Sequence, residues 1–378
     1  MALHQIALIG RRMDTTLLGV KEFHPDVLHL LYTERTAQLY EPMVRMLPGG
    51  IQVVECPVDP YDASQVMRVC RGIRESLTGT DTLQYNLTEG TKVCAAAAFR
   101  VAEEFGDDVV YFSQEGEIIN LKDFSRRPQN ARISNEEFVD LFGSNLHSYN
   151  TAAEILPIDV VTAREVKSFI EKYQKTFQRI QHQYRSQFGG RIEKLPETFK
   201  VDREHNVFVD TRGGALTITD KGKVTFQSAN PLATRLFFTG RWWEVLVSDT
   251  VYRWDLSRHA NPADSQVWRN VEFLDKGTGK TKNELDVMVN DRRRLLMIEC
   301  KSGYIAQENV YKIDSTRETY GGNSSKGILV SYYPLEENLA SKCRDLHVYY
   351  FAPEGPNDRI RHLEELPRWL DAVVLEIE

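Results

Sequence analysis

Between Lys282 and Ser302 the chain reads KNELDVMVNDRRRLLMIECKS. Side chains along an extended strand alternate between its two faces. Glu284 and Asp286 therefore share one face of a first strand, NELDVMV, and Glu299 and Lys301 share one face of a second, LLMIECKS. The polar turn NDRRR joins them, and Leu285, Val287, Ile298 and Cys300 point to the opposite, apolar side. Carboxylates and an ammonium on one side of a rigid hairpin are what is needed to bind a hard divalent cation and to activate water beside a phosphate. Acids that alternate with apolar residues also describe an ordinary strand with one solvated face. The ending of the second strand weighs against that reading, because a Glu-x-Lys pair closing an apolar run is costly unless its charges are partnered.

Such a hairpin needs helices and further strands around it. Leu232–Tyr252, with FFTGRWWEVLV, reads as the preceding helix. It carries Glu244, which either adds a ligand through water or is a plain surface glutamate. Trp242 and Trp243 offer faces for base stacking, although packing in the core is the simpler use of them. Arg292, Arg293 and Arg294 sit in the turn, where they either meet substrate phosphates or are solvated. Strands are expected near Val267–Phe273, Gly327–Tyr333 and Leu346–Phe351, and helices over Gln307–Tyr320 and Leu363–Val374.

The N-terminal part has a different grammar. HQIALIG (4–10), VLHLLY (27–32), Ile51–Val54, TLQYNL (82–87) and DVVYFS (108–113) read as strands, with a loop at 11–19. Helical spacing runs over Thr33–Leu47, from Ser64 as N-cap to about Leu77, and through VCAAAAFRVAEEF. Alternating strands and helices indicate an α/β, doubly wound, mostly parallel sheet. Ligands in such sheets bind at the carboxyl ends of strands, beside helix N-termini. Asn86–Lys92, NLTEGTK, lies at such an end. Gly90 permits close backbone approach, Thr88 and Thr91 bring hydroxyls and Lys92 brings charge, a set that suits phosphate; Thr as the N-cap of an ordinary strand-to-helix turn is the plainer alternative. Neither G-x-x-x-x-G-K-[ST] nor G-x-G-x-x-G occurs.

Composition breaks near Asn145 and Pro231, so three regions are expected: 1–145, a connector over 146–231, and 232–378. Within the connector, Thr162–Phe188 reads as one long polar helix and Asn206–Phe226 as small hairpins. The 378 residues are 42% hydrophobic and 27% charged, ordinary for a globular protein. A net charge of −7 argues against general coating of DNA but leaves room for local basic patches. Five scattered cysteines without C-x-x-C point away from disulfides and zinc and towards a reducing, cytoplasmic environment. No signal peptide or membrane-spanning run is expected. The histidines form no H-x-x-x-H or Ser/His/Asp pattern and so make no case for a histidine-based ribonuclease.

Helix, antiparallel hairpin, helix, strand is the minimal restriction-endonuclease-like order. Together, TEGTK (88–92), GRWWE (240–244), NELDV (283–287) and IECKS (298–302) resemble the CARF-domain nucleases of type III CRISPR defence. In that class a Rossmann-like CARF sensor (1–145 here) precedes a PD-(D/E)xK nuclease (232–378 here). The resemblance implies a homodimer that binds a cyclic oligoadenylate, usually cyclic tetra-adenylate, across its sensor interface. It also implies a nuclease thereby activated to cut RNA, DNA or both with Mn²⁺ or Mg²⁺. Carried onto this chain, the metal ligands are Asp286 and Glu299, the main-chain carbonyl of Cys300 and, as an extra, Glu284. Catalysis falls to Asp286, Glu299, Lys301 and Glu244. The activator would meet Gly10, Arg11, Arg12, Met13, Asp14, Thr15, Thr16, Thr33, Asn86, Thr88, Glu89, Gly90, Thr91 and Lys92. The family loop reads G-G-T-K; Glu89 stands at its first glycine and is expected to turn away from a polyanion. Two other readings stay open: a nucleotide-sensing regulator whose C-terminal domain binds nucleic acid without cutting, and a ligand-independent DNA endonuclease.

Overall fold

The computed structural model describes the chain except residues 11–12, 114–115, 142, 144, 202–205, 276, 292–293, 322–324, 355–358 and 376–378. Its first layer is a seven-stranded sheet, in order β3-β2-β1-β4-β5-β6-β7. The strands are β1 (Leu3–Leu8), β2 (Val27–Tyr32), β3 (Gln52–Pro57), β4 (Thr82–Asn86), β5 (Asp108–Phe112), β6 (Glu117–Asn120) and β7 (Arg126–Pro128). The first five pair in parallel and the last two add antiparallel. Helices α1 (Met13–Phe23), α2 (Tyr40–Met46), α3 (Ala63–Ser76) and α4 (Lys92–Phe105) connect them. Because β1 is flanked by β2 on one side and β4 on the other, the chain order reverses there, and the crevice past the ends of β1 and β4 is the switch point of the sheet.

The sequence-based boundaries shift in places. Residues 11–19 are not a loop: helix α1 starts at Met13. Asp62, not Ser64, caps α3, accepting from the Gln65 N–H. The polar stretch after Asp123 contains β7, α5 (Asn135–Leu141) and β8 (Leu146–Thr151). The long helix breaks at Tyr173 into α6 (Pro157–Lys172) and α7 (Gln174–Phe188), with no Gly or Pro to announce it. A four-stranded antiparallel sheet follows: β9 (Thr198–Val201), β10 (Val207–Asp210), β11 (Leu216–Asp220) and β12 (Lys223–Ser228). Gly240, at φ +81°, divides the next expected helix into α8 (Ala233–Thr239) and α9 (Arg241–Ser257).

The third sheet runs β17-β16-β15-β14-β13-β8. It comprises β13 (Val267–Leu274), β14 (Thr281–Asn290), β15 (Leu295–Lys301), β16 (Lys326–Ser331) and β17 (Tyr349–Phe351), with β8 from the 146–231 segment at its edge. Strands β14 and β15 form the antiparallel hairpin, and β15 continues into parallel β16. Helices α10 (Gln307–Gly321), α11 (Glu337–Asp345) and α12 (Arg359–Leu375) surround it. One apolar core joins α6–α9 to one face of this sheet. A second runs from α1 and α5 in the N-terminal layer to Trp268, Leu285, Met297 and α10.

Candidate active site and switch-point crevice

The hairpin departs from simple alternation: Val287, Ile298 and Cys300 join the core shared with α6–α9, whereas Leu285 packs into the other core with Met288 and Met297, beside a break in β13 at Asn270, whose φ is +50°. Leu285, Val287 and Ile298 are fully buried, and the Cys300 thiol is inside, its pKa pushed well up by burial and then by nearby Asp286. On the other face, the Cys300 N–H donates to Asp286 Oδ2 at 2.6 Å, which ties the acid of β14 to the end of β15. Glu299 is 2% exposed and is held by two ammonium groups, Lys301 Nζ at 2.7 Å and Lys312 Nζ at 3.1 Å. Lys312, on α10, escaped the sequence reading: nothing in the helical spacing says that it turns towards the hairpin.

Glu244 reaches the same place from another element. Gly240 bends the chain between α8 and α9, and Ser302 Oγ donates to the Gly240 carbonyl at 3.4 Å, so the helix corner rests on the end of β15. Trp242 and Trp243 then anchor the first turn of α9. Both are 1% exposed, Trp242 meets Tyr332 edge-on, and Trp243 Nε1 donates to the Val330 carbonyl at 3.1 Å. They pack in the core and cannot stack on bases. Their seating turns Glu244 to the acids. Burial raises its pKa, Arg241 opposes this, and Glu284 and Glu299 add to the rise. Burial, then Glu299 and Glu244, hold the Asp286 carboxyl well above its ordinary range. Burial pulls Lys301 down, but Glu299 and Asp286 outweigh it and leave its pKa raised. Glu284 lies exposed on the same face as Asp286.

Acids from two strands and a helix, Glu299 buried and Asp286 and Glu244 half-buried, repel one another, and positive charge would relieve that. Among the described residues no three acid, His or Cys side chains are drawn close enough to enclose an ion by themselves. The acids sit between two clefts. One, of about 790 Å³, is walled by Lys301, Ser302 and Tyr304 on one side and α7 on the other. The second, of about 220 Å³, is lined by Asp286, Arg235, Arg241 and Arg269. Glu244 borders both. Arg292 and Arg293 lie outside the described residues. Arg294 is not a substrate contact: it is 6% exposed, close to Asp291 and donating to the Val374 carbonyl.

At the switch-point crevice, Gly10 ends β1 and the 86–92 loop ends β4. Asn86 Nδ2 donates to the Thr15 carbonyl at 3.0 Å, and its Oδ1 accepts the Thr88 hydroxyl at 2.7 Å. Thr88 Oγ1 also accepts the Phe112 N–H, and Thr91 caps α4 while donating to the Pro60 carbonyl. Both hydroxyls thus build the loop. Gly90, at φ +88°, packs on Leu8 where a Cβ would clash. The Glu89 carboxylate lies over Gly10, where any side chain on Gly10 would strike it. Met13, Asp14, Thr15 and Thr16 are not a ligand-facing loop; they form the first turn of α1, each no more than 2% exposed. Thr33 begins the 3₁₀ turn after β2, in a mutual cap with Thr36. Lys92 is exposed at the start of α4. Arg11 and Arg12 lie outside the described residues.

Residues 232–369 match the Card1-like endonuclease domain. None of the curated proteins matches the chain. Among solved structures, Can2 from Sulfobacillus thermosulfidooxidans in complex with cyclic tetra-adenylate superposes with a TM-score of 0.69 at 20% identity, over 98% of this chain and 99% of that one. Protein VC1899 from Vibrio cholerae does so at 0.72 and 16%, over 98% of both chains. A type III CRISPR defence DNA nuclease activated by cyclic oligoadenylate gives 0.56 and 16%, over 97% of this chain and 52% of that one. No helix among the described residues is long and apolar enough to cross a membrane. The chain thus shares its fold over nearly the whole length of Can2 and VC1899, and its residues 232–369 match the Card1-like endonuclease domain.

Proposed function

We propose that this protein is a cytoplasmic nuclease of type III CRISPR defence, gated by a cyclic oligoadenylate, most simply cyclic tetra-adenylate, bound between the switch-point crevices of two protomers. The observation that carries the reading is the meeting of Asp286, Glu299, Glu244 and Lys301 at the junction of two clefts, inside a Card1-like endonuclease domain. Asp286 and Glu299, with the Cys300 carbonyl and Glu284, would hold Mn²⁺ or Mg²⁺. Such an ion, when bound, neutralises phosphate oxygens and makes water more acidic. The chain's own groups do the rest. Paired with Glu299, Lys301 is a charged donor on the cleft wall, placed to steady the charge that develops on the phosphoryl oxygens. Trp243 and Gly240 fix Glu244 in direction. The Cys300 N–H holds Asp286 against β15.

The test is a cleavage assay on labelled single-stranded RNA, single-stranded DNA and plasmid, with Mn²⁺ or Mg²⁺, against cyclic tri-, tetra- and hexa-adenylate. Cutting that needs both the metal and one of the rings is expected. Full activity without any ring overturns the gating and leaves a plain endonuclease; ring binding without cutting under every condition leaves a sensor.

A further inference from the structure

Helix α7 has no role so far beyond closing the larger cleft. Its sequence, QKTFQRIQHQYRSQF, contains five glutamines, Lys175, Arg179, His182 and Arg185, and no acid, within a chain whose net charge is −7. Thr176, Ile180 and Tyr184 are buried and seat the helix against the core; Gln178, His182 and Arg185, at helical spacing on another face, are exposed along the cleft. The groove does not stop there. Gln178 and His182 also border a second hollow of about 620 Å³, lined further by Lys175, Arg179, Gln183 and Gln187. None of Lys175, Arg179 and Arg185 forms an ion pair with another described residue. On the opposite wall Tyr304 stands 84% exposed, directly after Lys301-Ser302-Gly303. The far rim carries one acid, Glu336.

We infer that α7 and Tyr304 form the track by which a single-stranded polynucleotide enters the candidate active site. Unpaired cations and amide side chains along one continuous groove suit a sugar-phosphate backbone. An exposed aromatic beside the acids suits a base free to stack, which a duplex does not offer. The groove runs into the cleft lined by Lys301 and Glu244, so a strand lying in it brings a phosphodiester to the edge of the candidate site. This inference rests on the nuclease reading for what happens at the end of the track, while binding along the track is measurable by itself.

The experiment is fluorescence anisotropy of labelled oligo(U) and oligo(dT) against the full chain with cyclic tetra-adenylate and without divalent cation, over a range of salt. The triple variant Lys175→Gln, Arg179→Gln, Arg185→Gln should lower the slope of log affinity on log salt by about 2, at roughly 0.7 per lost phosphate contact. Arg185→Gln alone should lower it by about 0.7. Tyr304→Ala should weaken binding by about tenfold with the slope unchanged. The two oligonucleotides separate an RNA track from a DNA track. If wild type cuts nucleic acid and the variants bind with wild-type slope and affinity, the track is wrong and the nuclease stands. If wild type neither binds nor cuts either polymer, the nuclease reading falls and the track falls with it.

Discussion

Asp286, Glu299 and Lys301 stand out because charged residues set into two apolar strands are a local feature of the sequence, even though alternation breaks between Leu285 and Val287. What local rules could not convey is how they are restrained. Glu299 lies between two ammonium groups, one from its own strand and one, Lys312, from α10. Asp286 is tied to a main-chain N–H of the neighbouring strand. Replacing Asp286 with Asn, or Lys301 with Ala, is expected to lower the rate of cleavage by at least about 10²–10³, the usual loss when one preorganised electrostatic group is removed. Binding of cyclic tetra-adenylate, followed by calorimetry, should stay at the wild-type level. Cleavage at the wild-type rate in either variant would count against the assigned roles.

Among the elements, the corner at Gly240 decides where Glu244 points. Its φ of +81° is open to glycine and costly for other residues, and a Cβ there would press on Ser302 Oγ. Gly240→Ala should cost about 1–3 kcal/mol of stability and move the first turn of α9; the checks are a lower melting temperature together with slower cleavage, and a variant with neither change would show the corner to be unimportant. In the N-terminal sheet, His29 on β2 lies 7% exposed against His4, their ring nitrogens 3.1 Å apart. Burial, with His4 second, depresses its pKa to about 4 from 6.5. Between those values the unfolded chain binds the proton and the folded chain does not, so acidification destabilises the fold. The loss is present only below about pH 6.5 and reaches at most about 3 kcal/mol near pH 4. Denaturant unfolding from pH 7 to pH 4, wild type against His29→Leu, measures it: the variant should show a flatter pH dependence, and parallel curves would exclude His29 as the source.

For the whole molecule, the telling feature is the apolar core shared by α1 and α5 on one side and β13, β14 and α10 on the other. Helix α5 is also pinned by polar contacts: the Asn135 N–H donates to Gln266 Oε1 at 2.8 Å and Asn135 Nδ2 to the Gln266 carbonyl at 2.9 Å, while Asn290 Nδ2 donates to the Ile133 carbonyl. Since α1 begins beside the switch-point crevice, a ligand that shifts α1 acts on a core that the sheet of the candidate active site also uses. Asn135→Ala should therefore reduce the ratio of cleavage with and without cyclic tetra-adenylate, by an amount corresponding to about 0.5–2 kcal/mol of coupling. An unchanged ratio would place the coupling elsewhere.

Alternation and turn chemistry, both local, are written in the residues themselves. The sequence by itself therefore determined the parallel N-terminal sheet, the β14–β15 hairpin that carries Asp286, Glu299 and Lys301, and the strand–loop–helix order around Gly90. The break at Tyr173 was hidden because no helix-stopping residue marks it, and β8 was hidden because its pairing with β13 is more than a hundred residues distant in sequence. Tertiary packing alone decided that Trp242 and Trp243 are anchors, that Thr88 and Thr91 use their hydroxyls inside the loop, and that Glu89 folds over Gly10. It also decided that Lys312 meets Glu299 and that α7 lies across the cleft from Lys301. Each of these depends on which surfaces meet across elements far apart in the chain, and no periodicity within one element encodes that.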